Sequence, residues 1–131
     1  MDTPPDTAKQ SPGLSALADT PDYEITFESE PKRLRVQFNG ETIADSTEAL
    51  VLSETRHADV HYFPRADVSM DFLRRTDHHS FCPYKGSASY WSIEAGGKSV
   101  ENAAWSYEDP FDDLPEIKSY ISFYKDRVTF R

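Results

Sequence analysis

Cysteine is almost absent: the chain of 131 residues has one, Cys82. That excludes an intrachain disulfide framework and fits a reducing compartment. Long apolar runs are missing too. Without a stretch of about 18 apolar residues, no transmembrane helix and no membrane association are expected. Basic residues are scarce, with 14 Lys and Arg against 23 Asp and Glu, for a formal net charge of −9. Phosphate affinity rests on clustered Lys and Arg, so no nucleic-acid partner is expected. The start, MDTPPDTAKQ, has no basic segment leading into an apolar one. A secretory signal or transit peptide is therefore not expected, and the expected location is cytoplasmic.

Aromatic residues are plentiful at 13% of a polar chain. That share suggests a small β-rich core built from large flat side chains. Residues 1–22 hold prolines at 4, 5, 12 and 21 among Ser, Thr and Asp. They read as a disordered tail, with a transient helical turn at LSALA (14–18) at most. From 23 to 131 the chain reads as one domain. RLRVQF alternates Leu34, Val36 and Phe38 against polar neighbours, and Asn39-Gly40 then marks a hairpin, because both residues tolerate positive φ. ALVLSE, ADVHYF and DVSMDFL read as further strands, the last with Val68, Met70 and Phe72 on one face. SASYWSIEA and KSVENAAWSY form a second hairpin around Gly96-Gly97, EDPFDDLPEI carries one short helical turn, and SYISFYKDRVTF closes as a strand pair around Lys125-Asp126. The expected class is mainly β, a small antiparallel barrel or tent-like domain with at most one short helix.

AGGKS at 95–99 ends like a phosphate-binding loop, but that motif needs glycine where Ser92 stands and a helix where a strand is expected. It is read as a turn. His57 and His61 share a strand face but sit about 13 Å apart at about 3.3 Å per residue. His78, His79, Cys82 and Asp77 offer N, S and O donors, yet adjacent histidines in extended chain point apart, so no metal and no cofactor are expected. Cys82 lies three residues before Lys85 and just after two imidazoles, a setting that suits a nucleophilic thiol, although most free cysteines are small buried hydrophobes. Lys85, between Pro83 and Gly86, sits in a turn that can aim one side chain. Small residues beside Tyr90, Trp91, Trp105 and Tyr107 are consistent with a core or with a stacking pocket. Arg65 and Asp67 in FPRAD are expected to form a turn with a side-chain hydrogen bond.

Taken in order, RLRVQFNGETIADS, LSETRHADVHYFPRADVSMDFL, TDHHSFCPYKGSASYWSI, ENAAWSYEDP and ISFYKDRV resemble the domain-of-unknown-function family 427, over roughly 32–130. Its members are sometimes labelled nucleotidyltransferase-like. The resemblance implies a compact, tent-like β fold and no established activity. Its signature falls on Tyr62, Pro64, Asp77, Cys82, Pro83, Lys85, Gly86, Ala88, Tyr90, Trp105, Tyr107 and Pro110. Ser80 stands where many members have threonine, and Glu108 where many have proline. Tent-like relatives often hold zinc with four cysteines, which one cysteine cannot do. The nucleotidyltransferase label lacks its usual support, since there is no D-x-D and no glycine-rich phosphate loop.

The expected function is binding of a small anionic or carbonyl-bearing ligand around CPYKG. Lys85 serves as charge partner, Tyr62, Tyr90, Trp91, Trp105 and Tyr107 with His79 line the site, and Asp77 with His78 or His79 is an acid/base or orienting pair. Two alternatives stand beside it: a thiol-dependent enzyme using Cys82, and an interaction module in which the acidic 106–116 loop or the tail meets a protein partner, or exposed strand edges pair into a homodimer.

Overall fold

Asn39 and Gly40 take φ of 51° and 82°, the left-handed pair that a two-residue hairpin turn demands. They join β2 (Leu34–Phe38) to β3 (Glu41–Ser46). Gly96 and Gly97, at 59° and 80°, likewise join β7 (Gly86–Ala95) to β8 (Lys98–Ser106). The two turns meet: the Asn39 side-chain amide donates to the Ala95 and Gly96 carbonyls at 2.9 and 3.1 Å. A computed structural model describes residues 12–131, and the remaining strands are β1 (Ile25–Ser29), β4 (Leu50–Glu54), β5 (Val60–Tyr62), β6 (Leu73–Cys82), β9 (Ser122–Phe123) and β10 (Thr129–Phe130).

These strands form three antiparallel sheets in the orders β1-β4-β5, β10-β2-β3 and β6-β7-β8-β9. They do not close into a barrel, and the described helical elements are short 3₁₀ turns. None of them is long and apolar enough to cross a membrane.

The longest sheet buries opposite faces at its two ends. Adjacent residues of a strand point to opposite faces, and Tyr90 and Trp91 are both buried. Trp91, Ile93 and Ala95 join Val36, Ile43, Ala44 and Phe63 in one apolar cluster, while Ala88 and Tyr90 join Leu52, Tyr62, Tyr107 and Ile117 in another. Bulges on both flanking strands permit the change. β6 spends Thr76, Asp77 and His78 opposite Tyr90, and β8 spends Glu101, Asn102 and Ala103 opposite Ser92. Asn102 sits at φ 51°, and its amide oxygen accepts from the Thr76 hydroxyl at 2.7 Å, linking the bulges across β7.

Two expected strands differ. DVSMDFL is not a strand but a pair of 3₁₀ turns, Arg65–Asp67 and Met70–Phe72. Pro64 starts the first turn, and the Ser46 hydroxyl fixes its end by donating to Asp67 at 2.6 Å, while Val68 keeps one bridge to Ala44. The alternation of Val68, Met70 and Phe72 reflects burial against the first cluster rather than sheet pairing. The closing segment also does not pair with itself. β9 pairs with β8 and β10 with β2, because Phe123 and Phe130 both pack on Phe63, at 5.7 and 6.0 Å between ring centroids.

The expectation of a disordered tail over 1–22 lies outside the described residues for 1–11. Residues 12–22 make specific contacts with the rest of the chain. Ser15 is buried and caps a 3₁₀ turn at Ala16–Asp19, its N–H and hydroxyl both donate to Asp113 at 3.1 and 2.7 Å, and the Ala16 N–H donates to the Pro83 carbonyl.

Candidate functional site

The CPYKG turn ends β6 and begins β7. The Lys85 N–H closes it onto the Cys82 carbonyl, and Gly86 follows at φ 113°, a value that L side chains rarely adopt. That backbone sends the Lys85 side chain inward, where the residue is only 7% exposed. Its ammonium lies 2.6 Å from a Glu54 carboxylate oxygen and 3.8 Å from the Cys82 sulfur. A charge so buried demands a partner, and Glu54, the last residue of β4, supplies it.

Glu54 has a second donor in the hydroxyl of Tyr23, whose ring stacks on Tyr84 of the turn with centroids 4.0 Å apart. Burial pushes the Glu54 carboxyl up, but the Lys85 ammonium and Tyr23 hydroxyl outweigh it and hold the group below the ordinary carboxylate range. Tyr23 moves the other way, raised by burial and by its bond to Glu54. Residues 13–23 thus form a strap over the turn, tied to Asp113 at one end and to Glu54 at the other.

Tyrosines surround this pair. Tyr62 is fully buried, and its hydroxyl accepts from the Trp105 indole N–H at 3.3 Å. The Tyr90 hydroxyl shares a 2.8 Å hydrogen bond with Ser80. Tyr107 is 8% exposed, and its hydroxyl has no hydrogen-bond partner among the described residues. Burial raises the Tyr107 hydroxyl far above its ordinary value, reinforced by nearby Tyr62, Cys82, Tyr90 and Glu54. Tyr62 is raised chiefly by burial as well. Cys82 itself is half-buried and free.

The residues singled out in the sequence divide accordingly. Cys82, Lys85, Tyr62, Tyr90, Tyr107 and Trp105 come together at this end. His78 lies against the Tyr90 ring, with centroids 4.4 Å apart, and Asp77 is exposed on the β6 bulge. His79 faces a separate outer groove of about 500 Å³, beside Ser87 and Ser89, which also takes in Phe81 and Phe111. Trp91 belongs to the other cluster, where the Arg65 and Arg75 guanidinium groups lie 5.2 and 4.7 Å from its ring centroid. Both arginines donate to Glu108. Burial raises the Glu108 carboxyl, but Arg75 and Arg65 more than reverse this.

Glu54, Tyr23 and Tyr84 were missed in the sequence. Glu54 left a trace, since it shares strand parity with buried Leu52 and is therefore a carboxylate on an inward face. Tyr23 left none, because its role depends on a strap that only the folded chain forms. Among the described residues no group of three or more His, Cys, Asp and Glu converges as a metal site would require.

Comparison with protein-family models matches residues 26–130 to a domain of unknown function, DUF427. The chain belongs to that family. No curated protein matches it. The strap residues Ser15 and Tyr23 lie before the matched range, while their partners Glu54, Tyr84 and Asp113 lie within it.

Proposed function

We propose that the domain binds a small carbonyl-bearing ligand beside the CPYKG turn. The observation that carries this reading is Tyr107, a side chain only 8% exposed whose hydroxyl makes no hydrogen bond to the described residues. A hydroxyl without a protein partner can donate to a ligand oxygen in place of water. Of the anionic and carbonyl-bearing classes, the carbonyl class fits better. The Lys85 charge is already matched by Glu54 at 2.6 Å, so a further anion gains little, whereas a neutral oxygen can accept from Tyr107 without competing for that pair. Tyr62, Tyr90 and Trp105 supply the walls, and half-buried Cys82 marks the side from which the ligand enters.

A second reading is favoured by the 3.8 Å approach of the Cys82 sulfur to the Lys85 ammonium. In it, the thiol adds to the bound carbonyl: a C–S bond forms, the carbonyl π bond opens, and the thiol proton passes to the oxygen beside Tyr107. No oxidant is required. The test of both is native mass spectrometry after incubation with a small-metabolite extract. A bound mass on the wild type, absent from Tyr107→Phe, supports binding. Its absence from Cys82→Ala as well supports the adduct. A bare wild type, or a Tyr107→Phe variant that keeps the mass, contradicts the reading.

A further inference from the structure

Trp105 has a second neighbourhood. While its indole N–H serves Tyr62, its ring lies 4.6 Å from that of Tyr124, at 44°. Together with Phe123 and His61 these rings line a pocket of about 260 Å³, to which Asp59 and Lys125 add charges of opposite sign. Pockets for drug-sized ligands run to about 300–1,000 Å³, so this one suits a single-ring metabolite. His61 gives an independent sign of an absent partner. Its Nε2 lies 3.0 Å from a Glu30 carboxylate oxygen, while its Nδ1 is buried with no hydrogen-bond partner among the described residues. Buried polar atoms are nearly always satisfied, and each exception calls for an explanation.

We propose that this pocket binds a free α-amino acid with an aromatic side chain. The ring stacks against Trp105 and Tyr124, whose tilted pair presents π faces. The ammonium group meets Asp59, which gives one oxygen to the Ser53 hydroxyl at 2.8 Å and keeps the other. The His61 ring lines the pocket beside Asp59. The carboxylate meets the Lys125 ammonium. The lining thus offers matched partners for a zwitterion, and a ligand with one charge leaves Asp59 or Lys125 unanswered. Asp59 and Lys125 are both exposed, so replacing either leaves the core intact.

Calorimetric titration with L-phenylalanine, phenethylamine and 3-phenylpropionate tests this. L-Phenylalanine gives saturable binding, and each singly charged analogue is weaker by at least about tenfold. Lys125→Ala brings L-phenylalanine down to the level of phenethylamine, and Asp59→Ala to that of 3-phenylpropionate. Tyr107→Phe leaves all of these unchanged, which separates this pocket from the site at the CPYKG turn. No saturable heat with L-phenylalanine up to about 20 mM, or an analogue that binds as tightly, overturns the proposal.

Discussion

Lys85 and Glu54 form an ion pair of 2.6 Å in which each side chain is only 9% exposed. The pair joins the CPYKG turn to the end of β4, and so joins two sheets. Removing one partner of such a pair strands a charge away from water. Lys85→Met should therefore lower unfolding free energy by about 3 kcal/mol, with Tyr23 softening the loss by keeping its bond to Glu54. Lys85→Met with Glu54→Leu should lose markedly less than Lys85→Met alone, because no unpaired charge remains. Urea denaturation of the two variants checks both statements.

The same pair contributes to the response to acid. The Glu54 carboxyl is held below its ordinary value of 4.5, so its stabilisation is fully present above that pH. It is lost progressively as pH falls through the lower folded value. Thermal denaturation from neutral pH to pH 2–3 (roughly the range of depressed carboxylates) should show stability falling from about pH 4.5 downward. Glu54→Gln should flatten that limb while starting from a lower plateau.

At the alkaline end the tyrosines dominate. Tyr23, Tyr62 and Tyr107 are raised chiefly by burial, and Tyr124 is raised by burial and Tyr90 to about 12. Groups raised in the folded state stabilise below the unfolded value near 10 and lose that contribution as pH climbs towards the folded value. Ultraviolet titration should therefore show tyrosines that ionise only as the protein unfolds. Ionisation of Tyr23, Tyr62 and Tyr107 while the fold stays intact would contradict this assignment.

Gly96 and Gly97 separate two reasons for glycine. A Cβ at Gly96 would stand 2.4 Å from the Asn39 amide nitrogen, whereas nothing lies within 4 Å of one at Gly97. Both have positive φ, so alanine at either costs about 1 kcal/mol. Gly96→Ala should cost more, because moving Asn39 breaks its bonds to Ala95 and Gly96. Equal denaturation midpoints for the two variants would show that the contact between the turns carries no stability.

The hairpins were legible because their turn chemistry is local. Asn39-Gly40 and Gly96-Gly97 need only their own φ values, and the alternation around them reports burial directly. DVSMDFL misled because the same burial pattern can be produced by 3₁₀ turns held by Pro64 and by the Ser46–Asp67 bond, a contact between residues far apart in sequence. Within the candidate site, Cys82, Lys85, Tyr62, Tyr90 and Tyr107 were marked by residue type and by resemblance to the family. Glu54 was only a strand ending. Nothing in RLRVQF, ALVLSE or CPYKG states that one carboxylate will answer the lysine of another hairpin, since the pairing exists only once β4 and the turn are brought together. The strap was hidden for the same reason: its sequence is polar and proline-rich, and its order comes from Asp113, Tyr84 and Glu54.

Cys82 lies inside the proposed ligand site, and its reactivity reports on occupancy. The most direct measurement is its rate of modification by methyl methanethiosulfonate in the presence of increasing pyruvate, acetamide or acetone, for the wild type and for Tyr107→Phe. At least one of these carbonyl compounds should protect Cys82 in a saturable manner, and Tyr107→Phe should abolish the protection. Rates unaffected by all three, or protection that survives in Tyr107→Phe, would contradict it.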